Sequence, residues 1–286
     1  MLVDSSQDDN PVTLEDLLQS AARLQQLVPD AVLVGGSAAA FHAQHRLSYD
    51  HDHVMTDLRE RFDVVLDALE REGDWVTNRT AYGKIILGEL GGIETGIRQL
   101  IRARRLEVEQ HELANGAILT VPTADETLRV KAFLIIKRNQ TRDYLDVAAL
   151  GDKAGIDHAG EVLAHIDEYY ADQAPEEATV AAQVIDQLAD PKPKDAATTT
   201  RLTDYKGLIP RWTSWPQVDL VCRQIADAMI DDMGGRLPSQ DVASQIAGQQ
   251  IARSYQRSAT ATSQQSRPPI GPVDPPPTRN ARGLHL

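Results

Sequence analysis

Leu14, Leu17, Leu18, Ala21, Leu24 and Leu27 recur at helical spacing, and Thr13 with Asp16 three residues on forms a weak capping box ahead of them. Pro29-Asp30 ends that helix. Residues 31–34 are a short apolar run closing on Gly35-Gly36, the pattern of a buried strand entering a tight turn. The alanine-rich stretch 37–45 predicts a helix and 50–55 a second strand. A helix then opens at Asp57 with Leu58, Phe62, Val65, Leu66 and Leu69 on one face and Gly73 at its end. The period then changes. Residues 84–90 and 93–101 flank Gly91-Gly92 as a hairpin in which Leu90 faces Ile93 and Glu89 faces Glu94. Residues 106–113 and 117–121 flank Asn115-Gly116 as a second hairpin. Thr123 and Glu126 make a full capping box for a helix running through Lys131 to about residue 137, and the pattern stays helical to residue 188. A linker over 191–200 and a long helix over 215–233 follow, with Trp212 and Trp215 expected to anchor that helix in the core. Residues 257–286, rich in Ser, Thr, Gln and Pro, are expected to be disordered. The order implies an α+β fold with a small mixed sheet over 1–122, a helical domain over 123–256 and a tail over 257–286.

Composition narrows the class. With 286 residues, 42% hydrophobic and 25% charged, the chain can bury a sizeable core. Cys222 is the one cysteine, which excludes an intramolecular disulfide framework and fits a cytoplasmic protein. The polar, acidic N-terminus does not read as a signal peptide, and no apolar run approaches the ~18 residues of a membrane span. A soluble protein with no membrane partner is expected. The net charge of −13 argues against a general nucleic-acid coat, although positive charge gathers at Arg98, Arg102, Arg104 and Arg105 and again at Lys131, Lys137, Arg138 and Arg142. Aromatic residues are only 5% of the chain, too few for a base-stacking platform.

Chemistry concentrates in VLVGGSAAAFHAQHRLSYDHDHV. Asp50 and Asp52 are two apart, so on a strand both carboxylates project from one face. Adjacent carboxylates repel unless a cation joins them, and magnesium suits the pair because it fills its octahedron with water and substrate phosphate. Gly35-Gly36-Ser37 lies between a strand and a helix, where main-chain N–H groups can meet a phosphate. In the first hairpin, Glu89 opposite Glu94 is a destabilising pair without a cation, and either could supply a third carboxylate.

Gly36-Ser37 followed by Asp50-x-Asp52 resembles the signature of the polymerase-β-like minimal nucleotidyltransferases, and HRLSYDHDHV looks like the AbiEii-type toxins, whose mycobacterial relatives are called MenT. ETLRVKAFLIIKRNQTRDYLDVAAL is similar to that family's lysine-bearing helix followed by an Arg-Asp-x-x-Asp helix, and YKGLIPRWTSWPQVDLVC resembles the end of its helical domain. The resemblance implies that Asp50 and Asp52 bind magnesium (or manganese) with Glu94 as third ligand, Glu89 being the alternative. It implies that Ser37, beside Gly35 and Gly36, contacts a nucleoside triphosphate, and that Lys131 and either Asp146 or Asp143 serve catalysis. It further implies transfer of a nucleoside monophosphate to an acceptor hydroxyl at the tRNA 3′ end, by a toxin opposed by an antitoxin. A protein hydroxyl is the alternative acceptor, and a non-catalytic binding protein on the same fold the rival class. One departure is His51, where the family usually carries an aliphatic residue. An alternating strand turns it to the core, where it must find a hydrogen-bond partner. His42, His45, His51 and His53 also crowd the aspartates and raise a zinc hydrolase, which would leave Gly35-Gly36-Ser37 without a role.

Overall fold

The computed structural model describes residues 12–174 and 178–236, and the described residues up to Met233 form one compact unit. The expected tail over 257–286 lies outside the described residues. Helix α1 (Leu14–Leu27) opens on a complete capping box: Thr13 N–H donates to Asp16 Oδ2 at 2.9 Å, and Asp16 N–H to Thr13 Oγ1 at 3.1 Å. It is followed by β1 (Val32–Val34), α2 (Gly35–Ala43), β2 (His51–Met55) and α3 (Leu58–Glu70), then by β3 (Trp75–Ala81), β4 (Ile85–Leu90) and β5 (Ile93–Gln99). These five strands make one sheet in the order β1-β2-β5-β4-β3, antiparallel except for the parallel pair β2–β5. The sheet is mixed, and the fold is α+β.

Between β4 and β5, Gly91 and Gly92 both take positive φ, +59° and +80°, as a two-residue hairpin turn requires. Leu90 therefore pairs with Ile93 and Glu89 with Glu94, the register read from the sequence. Strand β3, which the hydrophobic pattern did not show, is an edge strand: of its seven residues only Trp75 is buried, so no alternation is visible. A separate ribbon of β6 (Val108–Glu112) and β7 (Ile118–Pro122) is joined to α1, where Gln25 both donates to the Thr120 carbonyl and accepts from its N–H.

The two faces of the sheet have different fates. His51, His53, Met55, Ile86, Leu90 and Ile97 point into a core closed by α1 and α3, with Leu24, Phe62, Val65 and Leu69 among its members. Asp52 and its neighbours on the other face look towards the helical half. That half comprises α4 (Ala124–Arg138), α5 (Thr141–Ala154), α6 (Ile156–Ala164), the short α7 (Asp167–Tyr170), α8 (Val180–Ala189) and α9 (Trp215–Arg236). They share one cluster around Tyr144, Leu145, Leu163, Val184, Trp212 and Ile225. The 191–200 segment does not run free: its Asp195 carboxylate accepts from the Thr141 N–H at 2.7 Å and so satisfies the start of α5.

Candidate active site

Val34 ends β1 in extended backbone, and Gly35 turns the chain at φ +76°, so α2 starts with no side-chain cap. Its first main-chain N–H groups thus lack intrahelical partners and carry the positive end of the helix dipole. Gly35 is needed for space as well as for its torsion, since a Cβ there would stand 3.4 Å from Asp52 Oδ2. Gly36 has a different constraint: a Cβ would stand 2.8 Å from Ser48 Oγ and 3.0 Å from Arg46 Nη2. Ser37 is buried and its hydroxyl donates to the Asp50 carbonyl, pinning the entrance of β2. The phosphate contact expected of Ser37 is corrected accordingly, because its hydroxyl is spent within the protein.

Asp50, exposed, and Asp52, half-buried, lie on the same face at the mouth of this turn. Asp50 Oδ1 accepts from Ser48 Oγ at 2.9 Å, and Asp52 Oδ1 has Arg98 Nε at 3.5 Å. No donor meets Oδ2 of either among the described residues. Since His51 pairs with Thr95 and Asp52 with Gly96 across the parallel ladder, Glu94 falls beside Asp50 on that face. A cleft of about 540 Å³ is lined by Asp50, Asp52, Glu94 and Arg98 from the sheet and by Leu134, Arg138 and Arg142 from the helices. Glu89 lies outside this lining and accepts from Asn78 at 3.1 Å, so of the two glutamates the cleft takes Glu94.

The arginines are the part sequence reasoning missed. They were visible as two separate basic stretches, and the fold brings Arg98 from one and Arg138 and Arg142 from the other to a single cleft. Arg138 is aimed by the buried Asp143, whose two oxygens accept from Nε and Nη2 at 2.8 Å each. Arg142 is exposed and forms no ion pair among the described residues. A cleft with the acids and Arg98 on the sheet wall and the guanidinium groups of Arg138 and Arg142 on the helical wall fits a ligand of metal-bound polyphosphate.

Lys131 and Asp146 sit elsewhere than their expected roles require. Lys131 is 1% exposed and Asp146 is fully buried. Asp146 accepts from Arg46 Nε at 2.9 Å and Nη2 at 3.0 Å, from His45 Nε2 at 2.7 Å, and pairs with Lys131 Nζ at 2.6 Å. Burial by itself would raise the Asp146 carboxyl, but Arg46, Lys131 and His45 hold it well below the ordinary carboxylate range. Burial also lowers Lys131, against the pull of Asp146. An anion so held and so enclosed does not reach an acceptor hydroxyl, and Lys131 does not reach a phosphate in the cleft. Asp143, committed to Arg138, is likewise removed from proton transfer. These three residues build the site's frame: Arg46 leaves Asp146 to pack against Gly36, and so ties α5 to the start of α2. The loop carrying Arg46 is held in turn by the YKGLIPRW segment, through Leu47 N–H to the Lys206 carbonyl and Ile209 N–H to the His45 carbonyl, both 2.9 Å.

The histidines do not gather around the acids, although the rings of His51 and His53 meet edge to face at 5.2 Å in the core. His42 meets the Pro122 carbonyl, His45 meets Asp146, and His51 spans Ser20 and Thr95 at 3.0 and 2.9 Å. Burial holds His51 down to about 4, so it is neutral at pH 7. Among the described residues no group of three or more His, Cys, Asp or Glu side chains is gathered as a metal cage, and His42, His45 and His51 each have a partner elsewhere in the protein. Asp50, Asp52 and Glu94 share a face without closing on one point. That suits magnesium better than zinc, because magnesium is held by one or two carboxylates and completes its shell with water and phosphate. The free Oδ2 atoms and the space kept open beside Asp52 by Gly35 and Gly96, where a Cβ would lie 3.2 Å from Oδ1, fit that demand.

No family model matches the chain. In sequence it is 32% identical over 238 residues to the heme uptake protein MmpL11 of Mycobacterium tuberculosis, across 76% of this chain and 23% of that protein. It is 29% identical over 232 residues to the mycolic acid-containing lipids exporter MmpL11 of Mycolicibacterium smegmatis, across 77% of this chain and 22% of that one. The chain thus spans less than a quarter of the length of these curated relatives. No helix among the described residues is long and apolar enough to cross a membrane. Among solved structures, a putative nucleotidyltransferase from H. pylori aligns with TM-score 0.42 at 14% identity, covering 79% of this chain and 97% of that one. The antibiotic-resistance factor ANT(2'')-Ia aligns with TM-score 0.40 at 13% identity, covering 55% and 92%.

Proposed function

We propose that the chain is a nucleotidyltransferase that moves a nucleoside monophosphate from a triphosphate to an acceptor hydroxyl. The observation that carries this is the cleft itself: Asp50 and Asp52 at the mouth of an uncapped helix start, with Arg98 beside them on the sheet and Arg138 and Arg142 facing them from the helices. The hydroxyl oxygen attacks the α-phosphorus, the bond from that phosphorus to the bridging oxygen breaks, and pyrophosphate leaves with the electron pair. A carboxylate of the cleft takes the hydroxyl proton. Transfer of this kind depends mostly on positioning and charge neutralisation, which the arginines of the cleft and the main-chain N–H groups at the start of α2, beside Asp52, would supply. A magnesium ion on Asp50 and Asp52, with Glu94 beside them, would supply Lewis-acid neutralisation of the phosphate oxygens.

The acceptor in this reading is the 3′ end of tRNA, and the protein acts as a toxin kept in check by an antitoxin. Support comes from the likeness of HRLSYDHDHV to AbiEii-type toxins and from the arginines of the cleft, which suit a polyanionic acceptor despite the acidic whole. The experiment is incubation with α-labelled nucleoside triphosphates, total tRNA and magnesium, with Asp52→Asn as control. Label on RNA that disappears with Asp52→Asn supports the reading; label on protein instead moves the acceptor to a protein hydroxyl.

The likeness to part of a transport protein favours a second reading. Here the same cleft binds a nucleotide without transferring it, as a domain that serves a larger assembly. Tight nucleotide binding with no pyrophosphate released under any acceptor would select this second reading over the first.

A further inference from the structure

Arg138 and Arg142, the arginines of the helical wall, stand on either side of an elbow. Arg138 is the last residue of α4 and Arg142 the second of α5, and only Asn139 and Gln140 separate the helices. Asn139 turns the chain in the left-handed region at φ +49°, which asparagine tolerates better than most residues. Gln140 gives α5 no side-chain cap. Arg142 is placed at a cost, because a helix start carries the positive end of the dipole and disfavours a cation. It is exposed, and no ion pair among the described residues offsets that cost.

A segment distant in sequence grips this elbow. The Asn139 side-chain amide donates to the Lys192 carbonyl at 3.0 Å, and the Lys194 N–H donates to the Asn139 carbonyl at 2.8 Å. The Tyr144 hydroxyl adds to the hold by donating to Asn139 Oδ1 at 2.7 Å. Beyond the bend, the Asp195 carboxylate accepts from the Thr141 N–H at 2.7 Å and from the Thr141 hydroxyl at 2.9 Å. A cap alone would need only the contacts at Thr141; those at Asn139 also fix where α5 leaves α4. The segment is stiff enough for this: Pro191 and Pro193 are buried and have fixed φ, while Lys192 and Lys194 are exposed. Burial raises the Asp195 carboxyl, but the Thr141 N–H and hydroxyl more than offset this and hold it below its ordinary value.

An elbow that carries two cations into a cleft needs a fixed angle, because charge placed a little out of line loses much of its hold on a ligand. Arg138 has a guide of its own in Asp143. Arg142 has none among the described residues and takes its direction from the first turn of α5. We propose that residues 192–195 are a clamp on this elbow and that Asp195 is a positioning residue for triphosphate binding, acting through Arg142. This role rests on the nucleotidyl-transfer reading of the cleft.

The test is calorimetric binding of inorganic tripolyphosphate with magnesium to the full chain, below the melting range of every variant. Asp195→Ala should weaken binding about tenfold, the worth of one hydrogen bond to a charged group set out of place. Asp195→Asn keeps an oxygen acceptor for Thr141 and should restore most of that loss. In an Arg142→Ala background, Asp195→Ala should cost less than about twofold in binding while still lowering the melt, because the two residues act in series. Asn139→Gly tolerates the left-handed turn but drops the contacts to Lys192 and Tyr144, so it loosens the elbow without touching the start of α5. It should weaken tripolyphosphate too, and it carries the test should Asp195→Ala not fold. Variants that melt lower yet bind like the parent would overturn the clamp and leave Asp195 a helix cap. A full tenfold loss persisting in the Arg142→Ala background would overturn it as well. A parent protein that binds no tripolyphosphate would sink the transfer reading and, with it, the role given to Asp195.

Discussion

Replacing Asp146 by asparagine separates a structural role from a catalytic one. The side chains are nearly isosteric, so the change opens no cavity and removes one negative charge. That charge faces Arg46 twice, Lys131 at 2.6 Å and His45 at 2.7 Å, with Asp146 and Lys131 all but sealed from water. His45 is neutral, because burial lowers it more than Asp146 raises it, so the cations left behind are Arg46 and Lys131. Removing one partner of a buried ion pair typically costs about 3–5 kcal/mol, because the remaining charge stays desolvated. For a domain of this size each kcal/mol moves the melting temperature by ~2–4 °C, so Asp146→Asn should melt about 6–20 °C below the parent. A pH series gives the sign. The folded carboxyl is held below its unfolded value of 3.8, so its stabilisation is complete above that value and fades as pH falls through the folded one. The gap between parent and variant should therefore be constant at neutral pH and close progressively below about pH 4. An Asp146→Asn protein that melts with the parent yet has lost nucleotidyl transfer would refute the reasoning and return Asp146 to the chemistry.

Other consequences can be checked on the same footing. Gly36→Ala should lower stability by roughly 1–3 kcal/mol in thermal melts, because its Cβ would displace Ser48 Oγ and Arg46 Nη2, the first of which holds Asp50. Nucleotide affinity should fall along with it. Arg142→Ala should leave the melt within about 0.5 kcal/mol of the parent, as an exposed residue outside any ion pair should, and still weaken triphosphate binding. That loss should shrink as salt is added, and calorimetry at two ionic strengths measures it.

How much of this was legible in the sequence depends on the range of the forces involved. The turn at Gly35-Gly36, the strand with Asp50 and Asp52 on one face and the Glu89–Glu94 pairing all follow from period-two alternation and turn chemistry, which act locally. Lys131 shows the limit. Helical spacing says which residues share its face, but not that Asp146, fifteen positions on, and Arg46, from a loop far away in sequence, would enclose it. The capping boxes make the same point in reverse. The weaker signal, Thr13 with Asp16, closes completely, while Glu126 leaves its own cap half made. Its carboxylate is drawn instead to Arg102 and Arg129, a tertiary competition no local motif records. In the same way, Arg98 and Arg102 look alike in a basic run, yet one ends at the cleft and the other under it.

Strand β2 explains why histidine can stand where an aliphatic residue would be expected between the aspartates. In HDHVM the alternation sends Asp52 to the cleft and His51 and His53 to the core, so slipping the strand by one residue would exchange acids for imidazoles on both faces. Burying a carboxylate among Leu24, Met55 and Ile97 would cost several kcal/mol, which by itself opposes the slip. The histidine adds a positive constraint that an aliphatic side chain lacks. His51 is fixed from α1 by Ser20 and from β5 by Thr95, and the Thr95 hydroxyl also donates to the His51 carbonyl at 2.7 Å. Because the ring is neutral, it introduces no charge beneath the acids. The polar contacts under the sheet therefore set where the carboxylates stand above it. With Ser37 holding the Asp50 carbonyl and Ser48 its side chain, the pair is positioned from three sides before any ligand arrives.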